Sequence, residues 1–414
     1  MKGKRSIALI SALAILASGC VLVSGAADWI RSQSAPYDSS TAEAMNANRD
    51  THPQWSPDGS MIAYLAERNG SEDLYVMEAN GSNVIQLTAD SYNEMNVQWS
   101  PDGAKILFTP QVFPLNIWVV NSDGSELKRL TDVTITPEDP KWSPDGMRIA
   151  LIQEDEMRQS VYMLDVNEGT PVLVTEGYEG TFFDSLGWAA DGGYLGFRAW
   201  AMDSVSHVVT FRLADGSFHE LTNLGFGPHW SPEENKLTFL KYYENASEPD
   251  LFVANPDGTG QFLIGHIDGR GITSFISSPP VFGFSIDWSP DGSKLAFTNE
   301  HKKVNSIEIA NADGTGLHML TEEVSHAFDP DWSPDGKWIS FFSFDKTYSI
   351  WVIRVDGSEL IALANGEPFQ GNFAWSPDGN YAVFTSNRDG DEDLYLFTVA
   401  TGDILQLTDE GTQD

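Results

Sequence analysis

Eight copies of one turn, spaced almost evenly, predict an all-β chain folded as an eight-bladed β-propeller of four-stranded antiparallel blades. Trp-Ser-Pro-Asp-Gly stands intact at Trp55, Trp99, Trp142, Trp288, Trp332 and Trp375, with weaker copies at Trp188 (WAADG) and Trp230 (WSPEE). Successive tryptophans lie 44, 43, 46, 42, 58, 44 and 43 residues apart. A period near 40–45 with four short apolar runs per unit marks a blade of four strands. Such a meander has two apolar faces and cannot stand alone, so the units must close into a ring.

Within a unit the elements follow in order, and the one from Trp99 shows them cleanly. The residues leading into Trp99 form strand A. Ser100-Pro101-Asp102-Gly103 then fits a type I turn, with Ser first, Pro setting φ at the second position and Gly last. Lys105-Ile106-Leu107-Phe108 is strand B, and the β-branched and aromatic run Asn116-Ile117-Trp118-Val119-Val120 is strand C. A second turn at Ser122-Asp123-Gly124 leads to strand D, which closes on Leu130-Thr131. The same closing pair recurs as Leu87-Thr88, Leu221-Thr222, Leu320-Thr321 and Leu407-Thr408. The eight tryptophans read as packing pegs, each costing about 3–5 kcal/mol if cut to alanine.

These motifs together resemble the TolB-type, WD-like propeller repeats of bacterial envelope proteins over residues 48–408. The resemblance implies the propeller fold, but its repeat serves partner-binding proteins, peptidase gates and polysaccharide lyases alike, so activity must come from the site. TolB itself places an α/β domain before a six-bladed propeller. The sequence leaves no room for one, so a TolB-like protein rather than TolB is expected.

The N-terminus suggests export. Lys2, Lys4 and Arg5 precede the apolar run Ile7 to Ala17, as in a secretory signal. The run ends Leu16-Ala17-Ser18-Gly19-Cys20, which resembles a bacterial lipobox and makes Cys20, the only cysteine, the expected lipidation site. The expected organisation is a lipoprotein signal at 1–20, a small, polar tether at 21–47 and the propeller at 48–414. The protein is then lipid-anchored on the outer side of the cytoplasmic membrane, or in the periplasm or outer membrane. With 60 acidic against 24 basic residues, its net charge of -36 disfavours nucleic acid and anionic lipid, leaving the membrane reached only through the anchor.

Chemistry is sparse. The sequence lacks GxSxG, HExxH, CxxC and GxxxxGK. The eight histidines are scattered, with His52, His229 and His326 three, one and six residues before a tryptophan. No catalytic residue, metal site or cofactor is expected. If calcium binds, the acidic loops Asn311 to Glu322 or Asp389 to Asp393 are where its oxygen ligands would lie.

The binding surface follows from blade geometry: if both turn types lie on one face, the D–A crossings and B–C loops make the other. Three residues before each tryptophan stand His52, Asn96, Asp139, Ser185, Gly227, Ser285, Asp329 and Asn372; two before stand Pro53, Val97, Pro140, Leu186, Pro228, Ile286, Pro330 and Phe373. Strand alternation turns the polar set to the channel and the apolar set between blades. With Glu94, Glu138 and Asp184 the polar ring makes an acidic channel mouth. The 58-residue interval holds an insertion, Gly265 to Phe284, expected over that mouth. The reading is a monomeric, non-catalytic envelope module that engages a protein or glycan partner, the alternative being a metal-dependent glycan lyase or hydrolase.

Overall fold

A computed structural model describes residues 49–409, apart from 69, 132–135, 156–157, 178–179, 202–205, 244–245, 247, 268–283, 302–303, 346 and 368–371. The signal, Cys20, the tether and most of the insertion lie outside the described residues. The rest forms eight antiparallel sheets, each of four strands in consecutive order, with no helix among the described residues. Blade 1 runs Arg49–Trp55, Met61–Arg68, Ser71–Glu78 and Ile85–Gln86, and blade 8 runs Phe373–Trp375, Tyr381–Ser386, Asp393–Thr398 and Ile404–Gln406. Eight apolar clusters fill the seams between blades. The one between blades 1 and 2, for instance, joins Leu65, Leu74 and Val76 to Trp99, Ile106 and Phe108.

The repeated residues earn their places through local hydrogen bonds. In blade 1 the Ser56 hydroxyl donates to Asp58 Oδ1 (2.7 Å) and accepts the Met61 N–H (2.9 Å), while Asp58 Oδ1 also accepts the Ser60 N–H (3.0 Å). One serine and one aspartate thus satisfy the backbone of the reversal, and these bonds hold the Asp58 carboxyl below its usual range. In the closing pair, Thr88, Thr131, Thr321 and Thr408 each accept a strand C amide, from Leu74, Ile117, Ile307 and Leu394 at 2.8–3.0 Å.

The tryptophans do more than pack. Each indole N–H of Trp99, Trp188, Trp230, Trp288 and Trp375 donates to the carbonyl just before the preceding blade's tryptophan: Gln54, Lys141, Gly187, His229 and Asp331, at 3.1–3.4 Å. Trp55 donates to Ala374 at 3.2 Å, which carries the relay across the seam from blade 8 to blade 1. Among the described residues no strand is shared across that seam; closure adds the Arg49–Glu392 ion pair (2.7 Å) and the Asp50 N–H on the Glu392 carbonyl (2.6 Å). Trp142 and Trp332 are the two whose buried indole N–H finds no acceptor.

Two tryptophan-to-phenylalanine variants separate the hydrogen bond from the packing. Trp188→Phe strands the Lys141 carbonyl and should lose about 1–3 kcal/mol beyond the packing change, whereas Trp332→Phe also removes an unpartnered donor and should cost markedly less. Urea midpoints of the two variants measure the difference, and equal losses would refute the relay's contribution.

Candidate functional site: an acidic arc in the channel

Strand A is the inner edge of every blade, and its side chains reach from blade to blade. Gln54 donates to the Val97 carbonyl and Gln98 to the Pro140 carbonyl, both at 2.7 Å. These glutamines stand one residue before a tryptophan, in a column that continues as Lys141, Gly187, His229, Asp287, Asp331 and Ala374. The inner-edge residues that keep solvent exposure while their neighbours are buried face the axial channel.

The polar residues three before each tryptophan share a backbone feature that strand alternation does not provide for. His52, Asn96, Asp139, Ser185, Gly227 and Asp329 all have positive φ, between 41° and 57°. Each coincides with a bulge in the A–B pairing, where two residues oppose one. Glycine, asparagine and aspartate tolerate this left-handed backbone, so the column is polar because the strand kinks there. Simple alternation fails at the bulge. Ser285 and Asn372 lie outside this set, just ahead of the short strands Ile286–Trp288 and Phe373–Trp375.

Charge is unevenly answered around the ring. Asp139 pairs with Lys141 at 2.7 Å. Asp184 accepts the Trp200 indole (2.9 Å) and the Ser185 hydroxyl (3.0 Å) and pairs with Arg198 at 3.4 Å, whose guanidinium lies over the Phe226 ring at 4.1 Å. Glu138 accepts the Gln159 amide at 3.1 Å, and burial raises its pKa. His52 rests against the Thr51 hydroxyl at 3.0 Å, and Asn96 is exposed. Glu94 is placed differently from its expected position at the mouth, for it is 2% exposed.

Blades 6 and 7 gather acids that no cation answers. Asp287 accepts the N–H groups of Trp288 (2.9 Å) and of Trp332 in the next blade (2.8 Å). Its carboxyl hydrogen-bonds Asp331, and Asp329 lies close to both. The Asp329 N–H donates to the Ser285 hydroxyl at 2.9 Å, which ties this arc together. Asp331 keeps an exposed edge while protein packs closely around its carboxyl. Burial pushes Asp287 up to about 6 and Asp331 well above the carboxylate range, with the neighbouring negative charges adding to it. No Lys or Arg ion pair reaches Asp287, Asp329 or Asp331 among the described residues. Of these three the sequence reading had only Asp329; the column one residue before the tryptophans was the signal for the others.

The two acidic loops differ in how their carboxylates are placed. In Asn311 to Glu322, Asp313 Oδ1 accepts the N–H and hydroxyl of Thr315 (2.9 and 2.6 Å), which is turn chemistry. Asp389, Asp391 and Asp393 bring ligand atoms within 4.8 Å of one another, the one such group found among the described residues, and it contains no histidine.

The model of the TolB beta propeller domain matches residues 38–114 and 285–414. This chain belongs to the TolB β-propeller family. It is also 29% identical over 152 residues to a protein TolB homolog of Chlorobium luteolum, a match spanning 37% of this chain and 34% of that relative. In three dimensions it is similar to dipeptidyl peptidase 4 of Porphyromonas gingivalis (TM-score 0.66, 12% identity, 89% of this chain and 61% of that one). It is likewise similar to an oligogalacturonate lyase in complex with manganese (TM-score 0.54, 15% identity, 86% and 98%). At such identities the likeness is one of fold, which hosts both binding and catalysis in this TolB-like propeller's relatives by shape.

The raised carboxyls give a pH test with a definite sign. A carboxyl whose folded pKa exceeds its unfolded value stabilises most below the unfolded value and loses that contribution as pH rises through the folded one. Stability should therefore fall from pH about 4 to beyond 6 through the Asp287–Asp331 pair. Asp331→Asn should flatten that part of the profile, read as the difference between variant and parent in urea unfolding across pH. Parallel profiles would show that the pair does not share its proton.

Proposed function

We propose that this TolB-like propeller is a non-catalytic binding module of the cell envelope, and that it takes a lysine- or arginine-bearing segment of a partner protein at the acidic arc of its channel. One observation carries the reading: Asp287, Asp329 and Asp331 converge on the inner edge of blades 6 and 7 without a basic side chain, while Asp139 and Asp184 elsewhere in the ring have theirs. Carboxylates gathered beside low-dielectric protein attract a cationic group more strongly than the same charges spread over an open surface. The overall charge of -36 adds steering of basic partners toward the ring. The envelope location rests on the export signal and on Cys20 as the lipid-bearing residue, with residues 21–47 as the tether.

The double variant D329N/D331N tests the site while leaving in place Asp287, whose oxygens hold two backbone N–H groups. A fluorescein-labelled lysine-glycine repeat peptide should bind the parent with an affinity that drops steeply with salt. The double variant should bind roughly tenfold more weakly, about 1.4 kcal/mol, with a shallower salt dependence. Equal affinity would move the site elsewhere, and preferential capture of neutral oligosaccharides over the peptide would favour a glycan partner instead.

Anchoring is tested separately. Cys20→Ser should abolish palmitate incorporation and release the protein from the membrane fraction; continued labelling of the variant would refute Cys20 as the site.

A further inference from the structure

The position five residues before the repeat tryptophan is acidic in two blades only: Asp50 before Trp55 and Glu94 before Trp99. Each lies near an aspartate on strand C of the preceding blade, Asp393 and Asp73, both in the sequence Asp-Leu-Tyr. Beside each pair stands the threonine of the closing Leu-Thr, Thr408 and Thr88. The two seams are thus built alike, and they differ in how the charge is met.

At the seam between blades 8 and 1 the acids are answered. Arg68 reaches Asp50 at 2.7 Å, and Asp393 accepts the Thr408 hydroxyl and the Gln406 amide, each at 3.0 Å. At the seam between blades 1 and 2 they are not. The counterpart of Arg68, thirteen residues after the tryptophan, is Val112. Asp73 is 4% exposed and Glu94 2%. Gln86 donates to Asp73 Oδ2 at 3.1 Å, but Asp73 Oδ1 and both oxygens of Glu94 are buried without a hydrogen-bond partner. The Thr88 hydroxyl lies close to both carboxyls; its oxygen accepts the Leu74 N–H at 2.8 Å, and it has a single proton to offer the two acids. Asp90 adds a third negative charge nearby.

Buried carboxylates without donors are costly unless a proton or a cation compensates them. The atoms left over are all oxygens, with no imidazole or thiolate among them, which suits a hard cation and not zinc or copper. Calcium accepts irregular oxygen sets of carboxylates, hydroxyls and water more readily than magnesium, which demands near-octahedral geometry. We propose that Glu94 and Asp73, with the Thr88 hydroxyl beside them, bind a divalent cation of the calcium class that clamps blade 1 to blade 2, supplying the positive charge that Arg68 brings to Asp50 within blade 1. Asp90 supplies further charge, and water completes the shell. The site is separate from the channel arc and does not depend on how that arc is used.

The full chain, stripped with EDTA and titrated with calcium chloride at pH 7.5, tests this by thermal unfolding and by calorimetry. The parent should show one saturable site, with an unfolding midpoint raised by roughly 2–4 °C at calcium a hundredfold above Kd. Glu94→Gln should lose that response while unfolding in EDTA no lower than the parent, since it removes a buried, unanswered carboxyl. Asp73→Asn gives the same readout should the first variant not fold. Asp391→Asn in the acidic trio of blade 8 is the control and should keep the full response. A parent indifferent to calcium, a Glu94→Gln variant that responds like the parent, or a response abolished by Asp391→Asn alone would each overturn the assignment.

Discussion

The ring depends on the hydrogen bond that each of six tryptophans makes backward to its neighbour. The indole has to be buried for its apolar area, yet its N–H needs an acceptor, and the carbonyl just before the preceding tryptophan supplies one. Because the acceptor lies on another blade, satisfying the indole fixes how far and at what tilt successive sheets pack. Trp55 on Ala374 extends the same rule across the final seam, so the first and last blades meet as ordinary neighbours without a shared sheet. The 46- and 58-residue intervals keep that contact, at Trp188 on Lys141 and Trp288 on His229, because it sits beside the turn.

That same constraint decides what the inner strands can present. A strand that must bring its tryptophan between blades and still run along the channel kinks three residues earlier, and six blades do so through a bulge with left-handed backbone. The kink exposes carbonyls and shifts alternation by one, which brings the residue before the tryptophan to the inner edge. Gln54 and Gln98 use that place to bond the next blade, while Asp287 uses it to hold the Trp332 N–H. A column of polar residues is therefore partly structural cement, and only members left with unanswered charge point to a ligand.

The fold was legible because its signals are local and repeated: a serine and an aspartate that satisfy one turn, a threonine that caps one amide, a tryptophan at one register. The site was legible only in part. Counting by twos from the tryptophan assumes an unbroken strand, which the bulge violates, so Asp329 was found while Asp287 and Asp331, two columns nearer the turn, were passed over. Glu94 reads as a channel acid in sequence because nothing local says that Val112, and not an arginine, will lie across from it.

Comparing like positions around a repeat then becomes a sharper instrument than reading any one of them. Similar backbone settings hold acids in several blades, and the difference lies in whether the same blade offers a cation: Lys141 to Asp139, Arg198 to Asp184, Arg68 to Asp50. Each pairing removes a charge that the low-dielectric seam or channel would otherwise penalise. Where the partner is absent, as at Glu94 with Asp73 and at Asp329 with Asp331, the cost has to be met by protons or by something from outside the chain. With only 24 basic residues against 60 acidic ones, most acids of this protein have no lysine or arginine to pair with. That scarcity is the background against which one seam and one arc of the inner edge carry acids without a basic side chain among the described residues.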